Sequence, residues 1–223
     1  MPYFVILVSL MQCFGGLTTS DTNTSYDSTA SDSTIKSSAS PITGARSSEN
    51  IGVAVFKNDK LVGELNAIET ICFLNMLNSV NTFLVTIPDP KDENSKIDIF
   101  LKPSSKHKVS VSFANGSPLI KINFKYAGKI YSMKKDEEYL DQNTLDAISA
   151  SCNNYLKNQF LKYLYKTSVD FKSDINGFGG YAFSKFSTVK KYSDYNWLDT
   201  YQNANFDVNI QTYMDSGFLL TQT

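Results

Sequence analysis

The chain has 223 residues, 42% hydrophobic and 19% charged, which fits one globular domain with additional chain and excludes a wholly disordered protein. Its 21 basic and 22 acidic residues give a net charge of -1, and Arg46 is the single arginine, so it has neither the field nor the bidentate forks of a nucleic-acid binder. The longest apolar run, residues 4–11, falls well short of the roughly 18–20 residues of a membrane-spanning helix, which excludes a multi-pass membrane protein.

Residues 1–17 form an apolar start that changes character abruptly at Thr18. Three readings of it stay open: a signal peptide without the usual charged beginning, a lipoprotein signal acylated at Cys13, or a strand or short helix belonging to a preceding domain. The lipoprotein reading has to accept Gln12 where a small residue is expected. Residues 18–48 hold 17 Ser or Thr in 31 positions and read as a linker, because so little apolar surface cannot offset the entropy of ordering.

The folded domain is expected over residues 49–223. Apolar runs at residues 53–56 and 61–65 flank Lys57, Asn58, Asp59 and Lys60, the pattern of a β-hairpin. Asn66 followed by Glu69 is a capping-box spacing, opening a helix that carries Ile68, Ile71, Cys72, Met76 and Leu77 to about Asn78. Four segments then alternate with period two: Phe83, Val85, Ile87; Ile97, Ile99, Leu101; Val109, Val111, Phe113; and Ile120, Ile122, Phe124, Tyr126. Asn115 and Gly116 mark a tight reversal between the last two, making them antiparallel neighbours.

From a cap at Asn143, apolar residues at Leu145, Ile148, Cys152, Tyr155, Leu156, Phe160, Tyr163, Leu164 and Phe171 fall in steps of three and four, which predicts a long amphipathic helix. A glycine-punctuated stretch, residues 174–180, ends it before a shorter aromatic helical region containing Phe183, Phe186 and Trp197. A strand follows with Phe206, Val208, Ile210 and Thr212 on one face, then Gly217 and the apolar Phe218, Leu219 and Leu220. One apolar stripe per helix and one apolar face per strand give an α+β domain, an antiparallel sheet packed against a long amphipathic helix and shorter helices.

No set of residues assembles into a catalytic or metal-binding constellation. Residues 172–183 carry Asp174, Asn176 and Gly177 at calcium-loop offsets, but Lys172 and Phe183 occupy positions where that loop needs carboxylates. The glycines at 177, 179 and 180 follow a helix, whereas a dinucleotide fingerprint follows a strand, so they read as a backbone exit from the helix. Asp136, Glu137 and Glu138 form a solvated acidic loop without the enclosure that acid–base work requires. Cys72 and Cys152 lie on apolar helix faces and read as inert buried thiols, and His107 is the one histidine. Trp197 with Tyr192, Tyr195 and Tyr201 admits three readings: core, protein interface or ligand pocket.

Two stretches carry a family resemblance. The first is residues 52–65 with Gly52, Phe56 and Gly63, followed by Glu69; the second is residues 171–179, where Asp174, Gly177 and Gly179 make a D-x-x-G-x-G arrangement, with Trp197, Val208 and Gly217 downstream. Together they resemble the C-terminal domain of the Ger(x)C family of spore germination proteins, over about residues 49–223. The resemblance implies a non-enzymatic C subunit of a nutrient germinant receptor, without cofactor or metal, that partners membrane A and B subunits. Family members are tethered through an acylated cysteine to the outer face of the spore inner membrane. This chain departs from the family's lipobox and N-terminal domains, which leaves open a downstream fragment of a longer lipoprotein, soluble if it has no anchor. The alternative function is a small-molecule-binding domain with an aromatic nutrient pocket near Trp197.

Overall fold

The computed structural model describes residues 52–57, 59–92, 94–133 and 141–215. The chain divides into two compact units, Met1–Ser9 with Gly52–Thr223, and Leu10–Ile51, the second lying outside the described residues. Outside them too are the apolar start, the linker, Cys13, Asn58, the acidic cluster at 136–138 and Gly217 with the apolar residues after it.

The element order is β1 (Val53–Lys57), β2 (Lys60–Leu65), α1 (Ala67–Met76), β3 (Phe83–Pro88), β4 (Lys96–Pro103), β5 (Lys108–Ala114), β6 (Ser117–Ser132), α2 (Gln142–Tyr165), a π-helical turn (Lys166–Asp170), α3 (Phe178–Phe183), α4 (Val189–Tyr195), α5 (Trp197–Tyr201) and β7 (Asn205–Asp215). β1 and β2 form the expected antiparallel hairpin as a separate two-stranded sheet. It feeds α1 through the expected capping box: Asn66 Oδ1 accepts from Glu69 N–H at 2.9 Å, and Glu69 Oε2 accepts from Asn66 N–H at 2.8 Å. Two orphan donors of the first turn are thereby satisfied.

The main sheet is organised around β6, a continuous strand of 16 residues. β5 pairs antiparallel with its first half and β4 with its second, so these two strands lie end to end along one edge of β6. β3 extends the sheet beyond β4. The other edge of β6 takes β7, which runs parallel to it from Leu119↔Asn205 to Lys129↔Asp215. The sheet is therefore mixed: β3 to β6 are antiparallel as expected, and β7 joins in parallel because the helical segment between β6 and β7 carries the chain back to the end where β6 began.

Alternation along β6 is strict. Ile120, Ile122, Phe124, Tyr126 and Ile130 are buried against the helices, while Lys121, Asn123, Lys125 and Lys129 face outward. Asn115 and Gly116, both at positive φ (51° and 83°), make the reversal between β5 and β6, as a two-residue hairpin turn requires. α2 lies across the apolar face with Ile148, Cys152, Leu156, Phe160 and Tyr163 buried, and the Phe160 ring stacks on Phe124 at 4.4 Å between centroids. Burying each such side chain contributes roughly 1.5–3 kcal/mol.

α2 starts at Gln142 behind Asp141, two residues earlier than the expected cap at Asn143; the Thr144 hydroxyl donates to the Asp141 carboxylate there. Its regular part also stops at Tyr165. The apolar stripe continues to Phe171, but through a widened turn in which Phe171 N–H bonds the Lys166 carbonyl at 3.0 Å. Thr167 and Ser168 bond backwards within this turn, Thr167 Oγ1 to the Leu164 carbonyl and Ser168 Oγ to the Tyr165 carbonyl. The chain has left the helix before the glycines at 177–180, with Lys172 at φ 49°.

Replacing Asn66 by Ala is expected to remove about 1 kcal/mol of stability, and to lower Tm by about 2–4 °C in a thermal melt, since it deletes the side-chain acceptor of Glu69 N–H while the backbone N–H of residue 66 still bonds the Glu69 carboxylate.

Candidate functional site

Gly63 and Glu69 from the first sequence stretch, and Asp174, Gly177, Gly179 and Trp197 from the second, are each held in specific contacts. They form two bonded groups, one beneath the hairpin and one at the start of α3, joined through the segment from the π-turn to Asp174.

Under the hairpin, β2 brings Gly63 against the Phe171 ring, and a Cβ at position 63 would run into that ring. A Cβ at Gly52 would likewise strike the Leu65 carbonyl across the hairpin. Lys166 reaches up from the π-turn to bond Glu69 Oε2 at 2.7 Å and the Glu64 carbonyl at 2.8 Å, with its ammonium 5.4 Å from the centre of the Phe171 ring. Glu69 thus serves two masters: the first turn of α1 and the cation of Lys166. This ion pair is 27% and 16% exposed, so it lies mostly out of water, and two of the three ammonium donors have acceptors. Lys57 Nζ adds a bond to the Lys172 carbonyl at 3.2 Å. Phe56 is half-buried in β1, opposite Leu61.

The second group is built on Asp174, which is 6% exposed. Its Oδ1 accepts from Phe178 N–H at 2.9 Å; its Oδ2 accepts from Gly179 N–H at 2.6 Å and from the indole N–H of Trp197 at 2.9 Å. Burial pushes the carboxyl of Asp174 upward, and the three N–H donors pull against that shift. Gly177 lets the chain turn into α3 at φ 72°. Gly179 lets the indole lie close, since a Cβ there would sit 2.9 Å from Trp197 Cδ1 and Nε1 and 2.9 Å from the Tyr192 hydroxyl.

Further buried polar pairs hold this loop to α2 and α5. Tyr163 donates to Asn176 Oδ1 at 2.7 Å, and the hydroxyls of Thr167 and Tyr201 meet at 3.1 Å. Burial pushes both tyrosine hydroxyls well above their ordinary range, so they stay protonated and able to donate. Outside this centre, Phe113, Phe186 and Tyr195 pack edge-on, and Tyr195 donates to the Gly116 carbonyl at 2.8 Å, fixing α4 to the β5–β6 turn.

Chemically this arrangement holds chain segments together. Both oxygens of Asp174 are occupied by N–H donors, so the calcium-loop offsets place no free carboxylate here. Of the three readings for the aromatic group, Trp197 and Tyr201 are core residues, 6% and 0% exposed, and Tyr192 and Tyr195 are half-buried beside them. Cys72 and Cys152 are buried free thiols, pushed by burial up to about 12 and about 11, and so are poor nucleophiles. His107 lies away from all of these, bonded through Nδ1 to Asn78 Oδ1 at 3.1 Å beside a cavity of about 220 Å³ that Asn75, Phe124 and Tyr126 also line. Burial lowers its pKa.

Lys166 and Thr167 were not singled out by sequence reasoning, and Tyr163, Asn176 and Tyr201 were named there without the bonds they make. The signal available was weak: the hydroxyl pair Thr167 and Ser168 at the end of the apolar stripe foretells a departure from regular helix.

Among the described residues, no helix is long and apolar enough to cross a membrane. The profile of a family described as "Spore germination B3/ GerAC like, C-terminal" matches residues 51–217. No curated protein matches the chain. A crystal structure of the GerBC protein shares the fold, with a TM-score of 0.64 at 18% identity over 74% of this chain and 51% of that one. The chain thus spans about half the length of that protein.

Three substitutions separate the roles in the second group. Asp174→Ala is expected to cost about 3 kcal/mol, because it strands buried N–H donors, and to red-shift the emission of the single tryptophan. Gly177→Ala should cost about 1 kcal/mol through its positive φ alone, with open space around the new methyl. Gly180→Ala, in α3 with nothing within 4 Å of a Cβ, should be neutral or stabilising by about 0.5 kcal/mol; denaturant titration followed by fluorescence reads all three.

Proposed function

The chain belongs to the spore germination B3/GerAC-like C-terminal family, and from that premise we propose that it acts as the C-subunit module of a nutrient germinant receptor. In this reading it is a non-catalytic interaction domain that docks against the membrane A and B subunits at the outer face of the spore inner membrane.

The observation that carries the proposal is how the family-resembling residues are used. Asp174, Gly177, Gly179 and Trp197 lock the start of α3, and Gly63 and Glu69 lock the hairpin onto Phe171 and Lys166. The chemistry of those groups is directed inward, at building a rigid body. A domain whose characteristic side chains are spent on rigidity is suited to present a surface, and rigidity limits the ordering entropy lost on docking. Trp197 offers no stacking face to a nutrient, since its ring is buried and its N–H is bonded to Asp174.

A tagged chain isolated from spore inner membranes is expected to bring the A and B subunits with it, and deletion of its gene to abolish germination on at least one nutrient. Recovery of the chain alone from the soluble fraction, together with unchanged germination on every nutrient, would overturn the proposal.

A further inference from the structure

The strand order brings together lysines that are scattered in the sequence. β5 and β4 lie end to end along one edge of β6, and the register sets Lys108 opposite Asn123 and Lys102 opposite Ala127. Lys121, Lys125 and Lys129 of β6 share the outward face with them, and all five are exposed. Across the ladder they interleave, in the order Lys121, Lys108, Lys125, Lys102, Lys129, as one zigzag track. With about 3.4 Å per residue along a strand and about 4.8 Å between strands, successive lysines start on the order of 8 Å apart and the track runs about 27 Å. That spacing is within a Debye length at physiological salt, so the five charges add to one local field although the whole chain carries -1.

The acidic groups of this face stand at the margins of the track. Asp207 of β7 pairs with Lys121 at 3.5 Å, Asp215 is opposite Lys129 at the end of β7, and Asp98 lies past the Lys129 end, where it accepts from the Thr86 hydroxyl at 2.7 Å. The three middle lysines have neutral residues opposite them: Asn123 for Lys108, Gln211 for Lys125 and Ala127 for Lys102.

At the Lys129 end the same face turns aromatic. Phe100 is opposite Lys129 and 38% exposed, and Tyr131, 54% exposed, packs edge-on against it at 4.8 Å between centroids. A partner for this face therefore has to offer spread negative charge together with an apolar layer. A bilayer with anionic headgroups offers both, since the headgroups take the ammonium groups and the interfacial layer takes the rings. An acidic protein segment is matched better by the bidentate fork of arginine, and the single arginine of the chain, Arg46, is in none of these strands.

We propose that the outward face of the main sheet is a lipid-docking surface, with Lys121, Lys108, Lys125, Lys102 and Lys129 resting on anionic headgroups and Phe100 and Tyr131 entering the interfacial layer. The contact is made with lipid itself and does not depend on docking to the A and B subunits, so either can fail without the other.

Sedimentation of the full 223-residue chain with vesicles tests this. Vesicles of mixed phosphatidylcholine and phosphatidylglycerol are expected to retain the chain, less so as salt is raised, and vesicles of phosphatidylcholine alone to leave it in solution. A Lys102→Gln, Lys108→Gln, Lys125→Gln variant is expected to bind the mixed vesicles at least about tenfold more weakly. A Lys185→Gln, Lys190→Gln, Lys191→Gln variant makes the same change in net charge on exposed residues elsewhere and is expected to bind as the wild type does. All three proteins share the rest of the chain, so the difference between them reads the track, and unchanged emission from Trp197 verifies that each is folded. A Phe100→Ser, Tyr131→Ser variant, which keeps every charge, is expected to weaken retention several-fold. Equal retention on the two kinds of vesicle, retention on neither, or equal losses in the two triple variants overturns the proposal. So does a chain that ignores vesicles yet binds polyglutamate through Lys102, Lys108 and Lys125, which would assign the track to an acidic protein.

Discussion

A carboxylate removed from water has to find its hydrogen bonds within the protein, and much of the C-terminal half of this domain is arranged to supply them to Asp174. Its two oxygens take N–H donors from the first turn of α3 and from the indole of Trp197. That demand fixes the neighbouring residues one by one. The chain has to turn sharply enough to bring the N–H groups of residues 178 and 179 onto one side chain four and five positions back, which Gly177 permits. The indole has to approach within bonding distance of Oδ2, which leaves no room for a side chain at Gly179. Trp197, once placed, starts α5 and sets Tyr201 against Thr167. A single buried charge thus couples the π-turn, α3 and α5, which precede β7 in the chain. Losing any donor leaves the others around an under-bonded carboxylate, so the group responds as a unit.

Lys166 performs the corresponding task for the hairpin. Among the described residues the β1–β2 sheet makes no ladder to the main sheet, and two short strands on their own are marginal in water. Its attachment comes from burial of Val53, Val55 and Leu65 in the core, from the Lys166 bonds to Glu64 and Glu69, from the Lys57 bond to the Lys172 carbonyl and from the close fit of Gly63 over Phe171. Both anchor points, Lys166 and Phe171, sit on the widened turn after α2. An unbroken α-helix would rotate residue 171 away from its present direction, since each residue added to a turn shifts the following positions by about 100°. The π-turn is therefore a joint, one that lets a single helix serve the main sheet with its first six turns and the hairpin with its last.

What was legible in the sequence is what local chemistry decides. Asn66 with Glu69 gave the cap of α1, Asn115 with Gly116 the β5–β6 reversal, and period-two alternation the inner faces of β3 to β6. The parallel docking of β7 was not legible, because its alternation of Phe206, Val208 and Ile210 is the same whichever direction the strand runs; direction is decided by where the preceding helices leave the chain. Nor was the end-to-end placement of β4 and β5 on one edge of β6, which depends on the unusual length of β6. At the candidate site, Asp174, Gly177, Gly179 and Trp197 could be picked out as a set, but not the bonds that join them. Lys166 was missed altogether, since one lysine among 20 carries no mark of having its ammonium turned inward to Glu69.

A family signature of this kind marks where the fold is most demanding, and that need not be where a partner sits. Buried charge, positive φ and forced close approach each admit few residue types, so they leave recognisable letters in a sequence. A docking surface can be assembled from many combinations of lysine, tyrosine and leucine and leaves none. On this domain the outward face of the main sheet carries Lys121, Lys125 and Lys129 along β6, with Phe100 and Tyr131 near one end. None of these belongs to the two stretches through which the family resemblance was seen. The residues that carry the family resemblance are thus spent on the fold and lie apart from this outward face, so altering them carries a cost in folding.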